Sequence, residues 1–142
     1  MKPVSELLKR RGPALFHISP DTTVFDALHV LAKHEVGALL VMREGKLVGV
    51  LSERDYTRKV ALLGKNSKEM NVSEIMTANV ITVTSRSNTS ECMGLMSQKR
   101  IRHLPVVDGE IVVGMISIRD LMDDIIADQE QTIEQLTNYI QS

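Results

Sequence analysis

Apolar positions change their spacing several times along the chain, and each change marks an element. Leu15 to Ile18 is a short apolar strand. Ser19-Pro20-Asp21-Thr22-Thr23 reads as a turn and helix start, with Pro and Asp where they are favoured. Val24, Ala27, Leu28 and Leu31 then recur at helical intervals. Gly37 is expected to end that helix in the left-handed conformation. Ala38 to Met42 is a buried apolar run, Glu44-Gly45 a hairpin turn, and Lys46 to Leu51 the returning strand. Ser52 opens a helix to about Leu63, and the polar stretch Gly64 to Asn71 reads as a linker. The order then recurs. A strand is expected near Val80 to Val83, a helix over Asn88 to Lys99 and a strand over Leu104 to Val107. A turn at Asp108-Gly109, a strand over Ile111 to Ile116 and a helix from Ile118 follow.

The recurrence is an internal repeat. Shifted by 65, the chain matches itself without a gap over about forty residues. Gly49-Val50-Leu51-Ser52-Glu53-Arg54-Asp55 falls on Gly114-Met115-Ile116-Ser117-Ile118-Arg119-Asp120, and Ala27, Leu28 and Leu31 fall on Cys92, Met93 and Met96. A further echo lies at offset 68, Val4-Ser5-Glu6-Leu7-Leu8 against Val72-Ser73-Glu74-Ile75-Met76, so the first copy carries three extra residues near Lys9 to Pro13. The expected fold is α/β (α+β): two β-α-β-β-α units, residues 1–71 and 72–142, related by a pseudo-two-fold axis. Units of this size are marginal alone, and pairing lets them bury a common face.

The last helix outruns its counterpart. Met122, Ile126, Gln129, Ile133, Leu136 and Ile140 form a heptad seam with one polar position. Two readings stay open: an amphipathic helix packed back on its own unit, or a helix contact in a homodimer.

Composition narrows the class. Of the 142 residues, 43% are apolar, 25% are charged and the formal net charge is −1, so the chain is globular and lacks the basic excess of a nucleic-acid binder. With two Phe, two Tyr and no Trp, the eight Met and the aliphatic residues must fill the core. Residues 1–71 hold 12 Lys and Arg against 8 Asp and Glu, a net of +4, and residues 72–142 hold 5 against 10, a net of −5. The single cysteine, Cys92, falls on a core position and cannot form a disulfide framework. No apolar run approaches membrane length and the first residues show no signal core, so a soluble, cytoplasmic chain is expected, with no membrane or nucleic-acid partner. His29 and His34 are five apart, a poor metal spacing. No Cys/His cluster suggests zinc, and no metal site is expected.

The candidate chemistry lies in Ser52-Glu53-Arg54-Asp55 and Ser117-Ile118-Arg119-Asp120. Each reads first as a capping box, a Ser at the N-cap with an acid three residues later. Each also follows a glycine and an apolar strand, and a helix start attracts phosphate. A Ser hydroxyl can bond ribose or phosphate, an Arg offers phosphate a planar fork, and an ionised Asp accepts from the two hydroxyls of a ribose. The set holds no nucleophile–base pair, so no enzyme is expected. Arg58 and Lys59 lie one turn beyond Arg54 and either extend a phosphate patch or form a solvated face.

The doubled pattern, with Leu104-Pro105-Val106-Val107-Asp108 and the two S-x-R-D motifs, resembles a tandem pair of cystathionine-β-synthase (CBS) domains, a Bateman module. The likeness covers nearly the whole chain, from Val4 to about Asp128. It implies a regulatory sensor that binds an adenosine ligand (AMP, ADP, ATP or NAD(H)), with no catalytic cofactor, dimerises, and modulates a further protein. It implies that Asp55 and Asp120 hold ribose hydroxyls, while Ser52 and Ser117 hydrogen-bond ribose or phosphate near Arg54 and Arg119. It adds Ile81, Thr82, Ile101 and Arg102 to the Asp55 cleft and Phe16, His17, Val36 and Gly37 to the Asp120 cleft. Arg102 and His103 match family positions that face phosphates, but the first copy has Gly37 and Ala38 there. The clefts are therefore expected to be inequivalent, with the Asp55 cleft the tighter. The alternative is a structural dimerisation module in which the S-x-R-D motifs are only helix caps.

Overall fold

The computed structural model describes residues 2–141. Helix α1 spans Val4–Arg11, strand β1 His17–Ile18 and helix α2 Val24–His34. The hairpin β2 (Ala38–Arg43) and β3 (Lys46–Ser52) follows, then α3 (Glu53–Tyr56). In the second copy α4 is Thr89–Lys99, β4 His103–Asp108, β5 Ile111–Ser117 and α5 Ile118–Gln141. One sheet has the order β1-β2-β3, with β1 parallel and β3 antiparallel to β2, and the second sheet pairs β4 with β5. The chain is thus a mixed α/β fold of two repeated units.

Several local expectations are corrected. The strand near Val80 to Val83 reduces to one parallel bridge, Val83 to Val106, and Leu15 to Ile18 reduces to β1. Helix α2 ends earlier than Gly37: the left-handed residue is Glu35 (φ 53°), and its counterpart Arg100 (φ 55°) ends α4. The helix from Ser52 widens after one turn into a π-helical stretch over Thr57–Ala61, which buries Val60 while Lys59 turns back towards Asp55. The second hairpin turns at Gly109-Glu110, one residue later than expected, because Asp108 still pairs with Ile111 and Gly109 takes the positive φ.

Strand β2 reads as a continuous apolar run because both its faces are covered. Leu39 and Val41 join a first core with Val24, Ala27, Leu31 and Leu51. Ala38 and Leu40 meet Met115 of β5 in a layer between the two sheets, flanked by Val50 and Val112. The second core holds Cys92, Met96, Leu104, Val106, Ile116 and Leu121. Burial, with Glu91 adjacent, pushes the Cys92 thiol up to about 11, consistent with a packed, protonated side chain.

The opening segments exchange cores. Val4 and Leu7 of α1 pack in the second core, whereas Val72 and Ile75, at the start of the second copy, pack in the first. The exchange obeys the repeat. Val72 N–H donates to the Thr22 carbonyl at 2.8 Å, and Val4 N–H donates to that of Ser87 at 2.7 Å. Asn71 bridges Thr23 as Pro3 bridges Asn88. On α5, the buried carboxylate of Asp124 pairs with Lys2 (3.1 Å) and Arg10 (3.6 Å), fastening the ends of α1.

The seam of α5 does not pack back on the chain. Met122, Ile126, Ile133 and Leu136 are 48–63% exposed and Ile140 is 80% exposed. The buried face of α5 carries Leu121 and Asp124 instead.

Two glycines test the exchange. A Cβ on Gly49 would lie 2.7 Å from Met76 Sδ and 3.0 Å from the Thr77 carbonyl, whereas one on Gly114 would meet only the Leu8 side chain, at 2.7 Å. A flexible side chain can yield more readily than backbone. Gly49→Ala is therefore expected to destabilise by about 2 kcal/mol and Gly114→Ala by less, measured by urea unfolding.

Candidate functional site

A cleft of about 570 Å³ opens between the copies. From the first copy it takes Gly37, Val50, Ser52, Glu53, Arg54, Asp55 and Thr57, and from the second Thr77, Asn79, Val80, Ile81 and the run Arg100 to His103. Strand β3 delivers Ser52 to its wall, and the helix start that follows orients Asp55.

The local geometry is a complete capping box. Asp55 N–H donates to Ser52 Oγ at 3.2 Å, and Asp55 Oδ2 accepts from Ser52 N–H at 2.9 Å and from its hydroxyl at 3.0 Å. The other oxygen, Oδ1, lies 3.2 Å from Lys59 Nζ, which also donates to the Ile75 carbonyl at 2.8 Å. An ionised carboxylate has about four acceptor positions, so the cap and the lysine leave capacity for a diol. Lys59, rather than Arg58, is the residue that the π-helical turn brings to the site.

Of the residues expected at this cleft, Ser52, Arg54, Asp55, Ile81, Ile101, Arg102 and His103 line it together. Thr82 is exposed and outside the wall. Gly37, assigned by resemblance to the other cleft, also lies on this wall, where its carbonyl accepts from Glu53 N–H at 3.0 Å. A Cβ at Gly37 would touch the His103 imidazole at 3.5 Å, so the two counterpart corners meet near the pseudo-axis. The sequence reading missed Arg100, whose carbonyl accepts from Arg54 Nη1 at 3.3 Å. Asn79 was missed too, although the offset of 68 pairs it with Arg11.

The second motif also forms a cap: Ser117 N–H donates to Asp120 Oδ2 at 2.8 Å, and Asp120 N–H to Ser117 Oγ at 3.2 Å. Arg119 is exposed. Phe16 and Val36 pack against the first core, Phe16 stacks on His34 with ring centroids 4.1 Å apart, and His17 is exposed. Arg11 enters this second site from α1, donating to the Met115 carbonyl and standing 3.9 Å from Asp120 Oδ2.

Among solved structures, the CBS domain NE2398 is 46% identical with a TM-score of 0.84, covering 88% of this chain and 98% of that one. A CBS domain family model matches residues 4–62 and 72–127. The chain belongs to the CBS domain family. A mitochondrial CBS domain-containing protein of Arabidopsis thaliana, CBSX3, is 35% identical over 97% of this chain and 71% of its own length. The CBS domain pair of protein MJ0100, solved in complex with 5′-methylthioadenosine and S-adenosyl-L-methionine, is 28% identical with a TM-score of 0.78, covering 90% of this chain and 98% of that one. No described helix is long and apolar enough to cross a membrane.

His103 gives the CBS pair a pH signature. Burial lowers its pKa below the ordinary 6.5, Arg11 and Arg102 lower it further, and Asp120 opposes them. The unfolded chain therefore binds more protons than the folded chain in the window below pH 6.5 and above the folded value. This contribution to stability is lost as pH falls through that window. His103→Gln is expected to flatten that part of the stability–pH curve, measured by urea unfolding at successive pH values.

Proposed function

We propose that the chain is a regulatory module, not an enzyme, that binds an adenosine nucleotide in the Asp55 cleft and modulates a partner protein. In this reading the repeats 1–71 and 72–142 both supply the cleft. Asp55 accepts the ribose hydroxyls, Ser52 bonds ribose or phosphate, and Ile81 and Ile101 flank the base. Arg54, Arg100 and Arg102 face the phosphates. The observation that carries the reading is the composition of one wall: a largely buried carboxylate, the apolar side chains Val50, Val80, Ile81 and Ile101, and three arginines. A base, a diol and an anion in one ligand match that set, and the volume lies within the usual range for ligand pockets. The adenosine ligands of MJ0100 support the adenosine half. The three arginines favour AMP, ADP, ATP or NAD(H) over a cationic sulfonium.

Ser52 and Asp55 are engaged with each other and with Lys59, an arrangement that favours holding a ligand over activating a nucleophile. Ligand bound to both copies shifts a partner only through its differential affinity for two arrangements of the pair. The reading includes a cytoplasmic location, although the Arabidopsis relative is mitochondrial. In titration calorimetry, AMP is expected to bind, and Asp55→Ala to weaken it roughly 10- to 100-fold, as loss of a charged acceptor does. Asp120→Ala is expected to cost less. Equal losses would remove the inequivalence, and no binding of AMP, ADP, ATP or NAD(H) would remove the reading.

The exposed seam of α5 favours a second, compatible reading as a homodimer contact. Ile133→Glu combined with Leu136→Glu is expected to lower the sedimenting mass to that of one chain while leaving AMP affinity unchanged. An unchanged mass would exclude this seam.

A further inference from the structure

The two motif sites differ in one element, and the repeat shows where. In the first copy, Val50 exchanges backbone hydrogen bonds with Thr77: Val50 N–H donates to the Thr77 carbonyl at 3.0 Å and Thr77 N–H to the Val50 carbonyl at 2.9 Å. The counterpart of Val50 is Met115. Among the described residues no backbone bridge answers Thr77 there: the chain continues helical to Arg11 where the second copy has only a 3₁₀ turn, Val72–Glu74. The Arg11 guanidinium takes over that role, donating to the Met115 carbonyl. Its Nη1 also stands 3.9 Å from Asp120 Oδ2, the counterpart of the Asp55 carboxylate. Met115 and Asp120 correspond to Val50 and Asp55, both of which line the open cleft. One guanidinium thus lies against the counterparts of two residues that line the open cleft of the first site.

We infer that Arg11, lying between the Met115 carbonyl and the Asp120 carboxylate, is a built-in occupant of the Asp120 site and limits the chain to one adenosine ligand. The inference rests on the nucleotide reading of the Asp55 cleft and fixes its stoichiometry. Several features hold the arginine in place. Lys2 and Arg10 anchor α1 on Asp124, Val4 and Leu7 are buried in the second core, and the Arg11 side chain is 28% exposed. A charged planar fork that donates to a carbonyl while facing a carboxylate is an arrangement a neutral glutamine cannot reproduce.

The test uses AMP as the probe and two variants, Arg11→Ala and Arg11→Gln, each checked for folding by its melting transition. Calorimetry is expected to give one AMP per wild-type chain and two per variant chain. Two sites in the wild type, or one in folded variants, would overturn the inference while leaving the nucleotide reading intact. No AMP binding to any of the three would overturn both. A ligand-free measurement separates these cases. Arg11 is, after burial, one of the groups that lower the His103 pKa, so proton NMR should find His103 titrating at higher pH in the variants. An unmoved His103 titration would show that Arg11 does not sit at the site, whatever AMP does.

Discussion

Val4 and Leu7 lie among Val83, Cys92, Leu104 and Ile116, and Val72 and Ile75 lie among Ile18, Leu39, Leu51 and Val60, so each copy completes the core of the other. Each such aliphatic side chain contributes on the order of 2 kcal/mol when fully buried. Neither copy retains that contribution if they separate. The layer of Ala38, Leu40 and Met115 between the sheets adds to the same coupling. A repeat of about 65 residues would be marginal alone, and this exchange makes two of them one cooperative body.

The structural difference between the two motif sites follows from the same exchange. The segment entering the first core crosses quickly, as a single 3₁₀ turn, and its next residues pair with β3 and leave an open cleft. The segment entering the second core is a full helix, and its last residue reaches across the matching cleft. The first copy carries three extra residues at this point. The Asp55 and Asp120 boxes remain alike in their internal hydrogen bonds, so the difference arises from what is packed against them. The cap does not exhaust the Asp55 carboxylate. The cap uses one carboxylate oxygen, and the lysine on the other leaves acceptor positions free.

Much of the architecture was legible because it rests on short-range rules. The hairpins, α4 with its Asn88 cap and both capping boxes follow from apolar spacing, turn residues and N-cap chemistry, all of which operate within a few residues. The misses share one cause. Val80 to Val83 has the composition of a strand but meets only one neighbour edge, so it forms a bridge. Gly37 looks like a helix terminator, yet Glu35 is where the helix must turn for Val36 to reach the first core, and glycine serves two residues later where the chain passes His103. The π-helical turn could not be read locally, because it depends on Val60 and Lys59 finding partners on segments reached only after folding.

The sequence by itself determined that the chain is a duplicated α/β unit with two S-x-R-D helix starts, since periodicity and repetition are properties of residue order. The two S-x-R-D motifs were legible in the residues themselves, and Ile81, Ile101 and Arg102 were expected beside the first of them from the family resemblance. Only the tertiary structure decided which copy each opening segment completes, that Gly37 and Arg100 join the Asp55 cleft, and that Arg11 lies against Met115 and Asp120. Those outcomes depend on contacts between residues as far apart as Arg11 and Met115, 104 positions, and no local pattern records which distant partner a side chain will meet.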